Sequence, residues 1–306
     1  SNGILNPLEI LRAGDNENIS FTRHISKVST FYKLLVGGKV EAEEIVEFEE
    51  MLRELYKEFG FDNEVGSKQK QFTGLPATSY PTFSDFLKSA TKNIKEMQSK
   101  KYSKLEEQVV VKTLILRDKI VKIIRNIVKT YGKLFDGYTT IDNITDEQII
   151  TFDLSILKEL KPEVFDASII NMISLCWDNC VTNGKLMQKS LDDGSIKMWD
   201  VVKTLILIDE SHRWLNAKKV QALDLISIYL REARKYFGGI GLASQRIADY
   251  APEGSGNEGI EKLKNIFELT QYKFIFRQNS NAQKLLHKIF EGELTSTQIQ
   301  KIPKLE

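Results

Sequence analysis

From about Phe21 to Phe135 apolar residues recur at spacings of three and four, the signature of helices that bury one face. Over Glu41 to Phe59 the apolar set is Ile45, Phe48, Met51, Leu52, Leu55 and Phe59 among many acids, which predicts an amphipathic surface helix. Leu105 to Phe135 carries one stripe through Val110, Leu114, Val121, Ile124, Val128, Tyr131 and Phe135. A second runs beside it through Leu116, Ile120, Ile123 and Ile127. An apolar arc that wide needs other helices around it, so the region reads as a helical bundle. Its Lys119, Lys122 and Arg125 read as a solvated face. Polar stretches over Gly14–Ser20 and Gly60–Pro81 read as connectors, and Thr82 or Ser84 is placed to cap a helix.

Past Gly137 the pattern shifts to short apolar runs separated by helical ones. Strands are expected over 138–144 (with a turn), 148–154, 205–208, 240–244 and 272–278. Helices are expected from Pro162 (Phe165, Ile169, Ile173, Cys176, Cys180), over 220–237 and over 260–269. Thr295 and Gln298 form a capping-box pattern. Leu205 to Ile208 is too short an aliphatic run for a helix and fits a parallel strand buried on both faces. Asp209 and Glu210 follow at once. Carboxylates at the C-terminal end of such a strand face the crevice where open α/β sheets bind ligands. There Asp209 would hold magnesium through its water shell, and Glu210 would polarise a water attacking a γ-phosphate, the Walker B arrangement. A strand that simply ends in two solvated acids has the same local sequence. The next unit favours the first reading, because a helix and a second strand deliver Gln245 to the same sheet edge. Strand, acids, helix, strand and Gln make the core of a RecA-like motor that uses ATP and magnesium, with Gln245 sensing the nucleotide.

The predicted fold is therefore α/β. A RecA-like P-loop NTPase core begins over 1–21 and resumes over 138–306 with Walker B, and an all-helical insertion occupies 22–137. The chain of 306 residues has 43 basic and 42 acidic side chains, which gives no support for a dedicated nucleic-acid-binding domain. Cys176 and Cys180 lie four apart on one helical face and read as core residues, since structural zinc needs four ligands and no second Cys/His pair is present. No apolar run approaches the ~20 residues of a membrane helix, and no signal peptide opens the chain, so a cytoplasmic protein is expected.

Several segments then match a known family in order. They are Asn6-Pro-Leu8, Tyr80-Pro-Thr-Phe-Ser-Asp-Phe86, Leu134-Phe-Asp-Gly-Tyr-Thr-Thr-Ile-Asp142, Ile150-Thr-Phe-Asp-Leu154, Leu207-Ile-Asp-Glu-Ser-His-Arg-Trp-Leu215, Arg234-Lys-Tyr236 with Gly241-Leu-Ala-Ser-Gln245, Ile275-Phe-Arg-Gln278 and Leu294-Thr-Ser-Thr-Gln298. Together they resemble the conjugative type IV secretion ATPases, the TraC/TrbE-like, VirB-type motors. The resemblance implies a homo-hexameric motor with an all-helical insertion, peripheral to the inner face of the cell membrane and docked on membrane components of a conjugation channel. It places a trans-acting arginine at Arg234, with Arg277 as the rival position; Arg234 also fits a surface ion pair. DNA as a partner is compatible with the family but not indicated by charge. His212, Arg213 and Trp214 are expected to have no catalytic role. The family pattern departs in two places: no Gly-x-x-x-x-Gly-Lys-Ser/Thr loop occurs in these residues, and the family's strands beyond Leu305 are not here. The expectation is a fragment of a larger ATPase, or else a truncated or degenerate paralogue. A DNA-translocating motor of the coupling-protein or chromosome-translocase type, and an inert interaction scaffold, remain as alternatives.

Overall fold

Helix α1 (Glu17–Leu35) begins where the Asn16 side chain accepts the N–H groups of Asn18 and Ile19, the ordinary way to satisfy helix-start donors. Residues 3–11, 16–38, 40–61, 71–141 and 147–305 are described in this computed structural model. The chain divides into two units, Ser1–Asn179 and Cys180–Glu306.

In the first unit α2 (Ala42–Glu58), α3 (Phe83–Ser99) and α4 (Lys104–Phe135) follow α1. Capping boxes open α3, through Thr82 and Asp85, and α4, through Ser103 and Glu106. Most of the expected positions pack: Ile45, Phe48, Met51, Leu52 and Leu55 of α2 meet Ile120, Val121, Ile124, Ile127 and Phe135 of α4 in one core, whereas Val110, Leu114 and Leu116 lie outside it and Phe59 is 41% exposed. Tyr32 of α1 stacks on Phe48 with ring centroids 4.3 Å apart. Each such buried side chain contributes roughly 1.5–3 kcal/mol relative to exposure. The core also takes in Leu8, Ile10, Val164 and Ala167, outside 22–137. Of the connector before α3, Phe72, Thr73 and Tyr80 are buried, because Glu17 accepts the Phe72 and Thr73 N–H groups and the Thr73 hydroxyl. Strands were expected over 138–144 and 148–154, but 138–141 and 147–154 form none, and 142–146 lie outside the described residues. The Thr140 N–H does donate to the Ile4 carbonyl at 2.9 Å, but the other bonds between these segments, from Ile4 N–H to the Thr140 hydroxyl and from Asn6 N–H to the Thr139 hydroxyl, go to side chains and build no strand ladder.

Helix α5 (Pro162–Asp192) spans the boundary between the units. In the second unit β1 (Thr204–Ile208), α6 (Val220–Ala233) and β2 (Gly238–Leu242) form a parallel pair with a helical crossover, in register from Thr204 opposite Gly238 to Ile208 opposite Leu242. Phe237, not a glycine, makes the left-handed turn into β2, at φ 52°. Gly184 lets α5 approach the turn at 234–236, where an added Cβ would sit 2.6 Å from the Tyr236 backbone. Cys176 and Cys180 are free, and burial pushes both thiols up to about 11.

Two expectations need correction. β1 is not buried on both faces, since Leu205 and Leu207 are 64% and 73% exposed. They lie over Gly239 and Gly241, which have no side chain to cover them, while the opposite face of β2 meets Cys180 and Ala233 at Gly238. Residues 272–278 are extended but pair with no strand, leaving Tyr272, Phe274 and Phe276 exposed. Helices α7 (Asn257–Leu269), α8 (Gln283–Ile289) and α9 (Ser296–Lys301) complete the unit, and Thr295 and Gln298 form the capping box of α9. Among the described residues no helix is long and apolar enough to cross a membrane.

Candidate functional site at the ends of the parallel strands

The backbone turns sharply where β1 ends. Glu210 adopts the left-handed conformation, φ 49° and ψ 37°, which costs on the order of 1–2 kcal/mol for a residue with a Cβ. Bonds to the chain after β2 hold it there. Ala243 N–H donates to the Ile208 carbonyl at 3.0 Å, and Ser211 N–H donates to the Ala243 carbonyl at 2.9 Å. The buried Ser211 hydroxyl also donates to Ala243, at 3.0 Å, so the Tyr250 hydroxyl, 2.6 Å away, is its donor. Burial raises the Tyr250 phenol above its ordinary value, which keeps that proton in place.

The turn brings together three of the residues singled out by sequence. Gln245 Nε2 donates to Glu210 Oε1 at 2.8 Å. Asp209 Oδ1 accepts the Glu210 N–H at 2.9 Å, and the exposed carboxylate keeps its other oxygen for a hydrated cation. Arg277 lies beside Gln245: both line a cavity of about 130 Å³ with Arg246 and Gln278. Arg234 is not brought to this edge. It stands in the turn before β2, whereas Gln245 follows its far end, and five residues of parallel strand span roughly 16 Å.

Three further residues lie at this edge: Gln278 and Ser244, to which the sequence reading gave no role, and His212, which it expected to have no catalytic role. Gln278 clasps the loop after β2, donating to the Gln245 carbonyl and accepting the Ile247 N–H, both at 3.2 Å. His212 and Ser244 lie against Glu210: His212 Nδ1 is 2.9 Å from Ser244 Oγ and 3.4 Å from Glu210 Oε2. Trp214, beside them in sequence, is a buried packing residue.

The donor set suits a hydrated divalent cation at Asp209 and a polarised water at Glu210. A triphosphate also needs a cradle of backbone N–H groups and a lysine, and no loop of that sequence occurs in these 306 residues.

Among the described residues, the parallel strand pair with its helical crossover and the acids after its first strand make an α/β arrangement. The chain shares its fold with VirB4 of Thermoanaerobacter pseudethanolicus, at TM-score 0.73 and 18% identity, over 100% of this chain and 69% of that one. It is 27% identical over 311 residues to the uncharacterized protein pXO2-09 of Bacillus anthracis, covering 99% of this chain and 47% of that protein, so it spans about half the length of this relative. No protein-family model matches.

Proposed function

We propose that this chain carries the Walker B half of the catalytic centre of a type IV secretion motor ATPase of the conjugative, VirB-type class, completed by a phosphate-binding loop outside these residues. The observation that carries the reading is the Glu210–Gln245 contact of 2.8 Å at the C-terminal edge of a parallel strand pair, directly after Asp209. The shared fold with VirB4 supports it.

In this reading Asp209 orients the water shell of magnesium, which when bound neutralises phosphate charge. Glu210 accepts a proton from the attacking water, and Gln245 holds the carboxylate and releases it according to nucleotide state. Arg234 acts across a subunit interface of a homo-hexamer, because its place at the far end of β2 keeps it from the Glu210 of its own chain. The proposed setting is the inner face of the membrane, against components of a conjugation channel.

The test is ATP hydrolysis by the full-length protein. Glu210→Gln should lower turnover by ~100-fold or more, the scale of general-base loss, with nucleotide binding retained. Unchanged turnover would remove Glu210 from the mechanism. For Arg234, mixing Arg234→Ala subunits with Walker-dead subunits that keep the arginine should restore hydrolysis. If only Arg277→Ala is rescued in this way, the trans-acting residue is Arg277.

A further inference from the structure

The ATPase reading uses both of the loops that follow the strands but leaves His212, which touches each of them, without a task. Its ring has a defined set of partners. His212 Nδ1 lies 2.9 Å from Ser244 Oγ, and the Ser244 hydroxyl has the Arg246 carbonyl 3.3 Å away as an acceptor for its own proton. A carboxylate can only accept, so with Glu210 Oε2 3.4 Å away the proton is assigned to Nδ1, whose hydrogen bond goes to Ser244 Oγ at 2.9 Å. The other carboxylate oxygen, Oε1, takes the Gln245 amide. Glu210 thus has the Gln245 amide, from the loop after β2, bonded to Oε1 and the His212 ring, from its own turn, at ion-pair distance from Oε2.

We infer that His212 is a positioning residue for Glu210: its Nδ1–H, shared with Ser244, fixes the carboxylate in the orientation needed to polarise water. This rests on the ATPase reading above. A glutamate side chain has three rotatable bonds, and freezing such a chain costs up to about 2 kcal/mol in rotamer entropy, so a single tether from Gln245 leaves the carboxylate free to swing. The imidazole is itself fixed. Its backbone carbonyl accepts the Asn216 side-chain amide at 2.8 Å, and its ring packs edge-on against Tyr250 with centroids 6.4 Å apart. Tyr250 in turn holds Ser211. The network therefore ties the left-handed turn at Glu210, the imidazole and the loop after β2 together, and gives His212 an indirect role beside the expectation that it has no catalytic one.

A donor role and a packing role are separable by shape. An asparagine amide nitrogen falls where imidazole Nδ1 lies, whereas a glutamine amide reaches toward Nε2 and fills more of the ring's volume. In the full-length protein His212→Ala and His212→Gln should lower kcat by about tenfold or more with KM for ATP unchanged, and His212→Asn should stay within about threefold of wild type, since small misplacements of a catalytic group carry costs up to 10²-fold. Equal losses in the Asn and Gln variants, or an Ala variant as active as wild type, would overturn the inference. A second measurement needs no hydrolysis. The ¹⁵N shifts of His212 in the 306-residue chain should report the Nδ1–H tautomer, and Glu210→Gln should move the Nδ1 resonance. An Nε2–H tautomer, or a resonance indifferent to Glu210→Gln, would overturn it as well. Absence of hydrolysis in wild type, by contrast, counts against the ATPase reading itself, while the tautomer still decides the placement of His212.

Discussion

Single side chains in this protein are set by what surrounds them, and His24 shows how far. It is 2% exposed, and its Nε2 lies 2.5 Å from the Tyr56 hydroxyl, which donates to the Leu8 carbonyl. Tyr56 has one proton, so the imidazole is the donor of the pair, and buried Nδ1 keeps a lone pair with no partner. Burial first, and nearby Lys27 second, hold its pKa well below the ordinary 6.5. The sign follows: above pH 6.5 both folded and unfolded chains are neutral at this residue. As pH falls through 6.5 the unfolded chain takes up the proton and the folded chain does not, so stability is lost by up to about 1.4 kcal/mol per pH unit. His24→Gln keeps a donor for Tyr56 and removes the titration. Urea midpoints at pH 7.5 and 5.5 should therefore converge in the variant relative to wild type, and an equal acid loss in both would remove His24 as the cause. Local sequence could not show this, because Tyr56 lies 32 residues away. Asp209 and Glu210 were legible, because the switch from an aliphatic run to two acids is contained in six consecutive residues. The left-handed backbone at Glu210 was not: it is imposed by bonds from Ala243.

At the scale of elements, most helices were read and strands were read poorly, although α1 begins at Glu17, inside the 14–20 stretch expected to be a connector, because Asn16 caps it there. Caps explain the success: Thr82 with Asp85 and Thr295 with Gln298 act within one turn, so the signal and its structure occupy the same few residues. The 272–278 run has the alternation of a strand, yet a strand exists only where another supplies its ladder. Contacts between helices were equally hidden. Arg117, 5% exposed in α4, donates to Glu47 at 2.6 Å and to both oxygens of Glu54 at 2.8 and 2.9 Å, both acids on α2. Sequence named Lys119, Lys122 and Arg125 of this helix as a solvated face and did not single out Arg117. Arg117→Ala would strand two carboxylates beside the core. Breaking a buried pair costs up to 3–5 kcal/mol, and since Glu47 and Glu54 keep some water contact a loss of about 2–3 kcal/mol is expected in urea unfolding. Lysine, which lacks the planar fork, should recover little of it. A loss below about 0.5 kcal/mol would show the cluster to be an ordinary surface network.

For the molecule as a whole the outcome hinges on the sheet. A parallel sheet is normally covered on both faces, and here β1 shows Leu205 and Leu207 to solvent. Leu207→Ser should consequently change the unfolding free energy of the 306-residue chain by no more than about 0.5 kcal/mol, the range for exposed sites, against 2–5 kcal/mol for truncating a buried leucine. A loss in the larger range would mean that the face is covered in solution. The sequence by itself determined most of the helical stripes, their caps, and the order of strand, acids, helix, strand and Gln245. Each of these depends on residues a few positions apart. Only the tertiary structure decided that two strands pair and a third does not, that one sheet face is bare, that Glu210 meets both Gln245 and His212, and that Arg234 stands at the opposite end of β2. The strand pairing and the Glu210–Gln245 contact join segments tens of residues apart, and the His212–Glu210 approach depends on a backbone turn held by Ala243, so ladder bonds, burial and side-chain donors come from a partner that no single stretch of sequence contains.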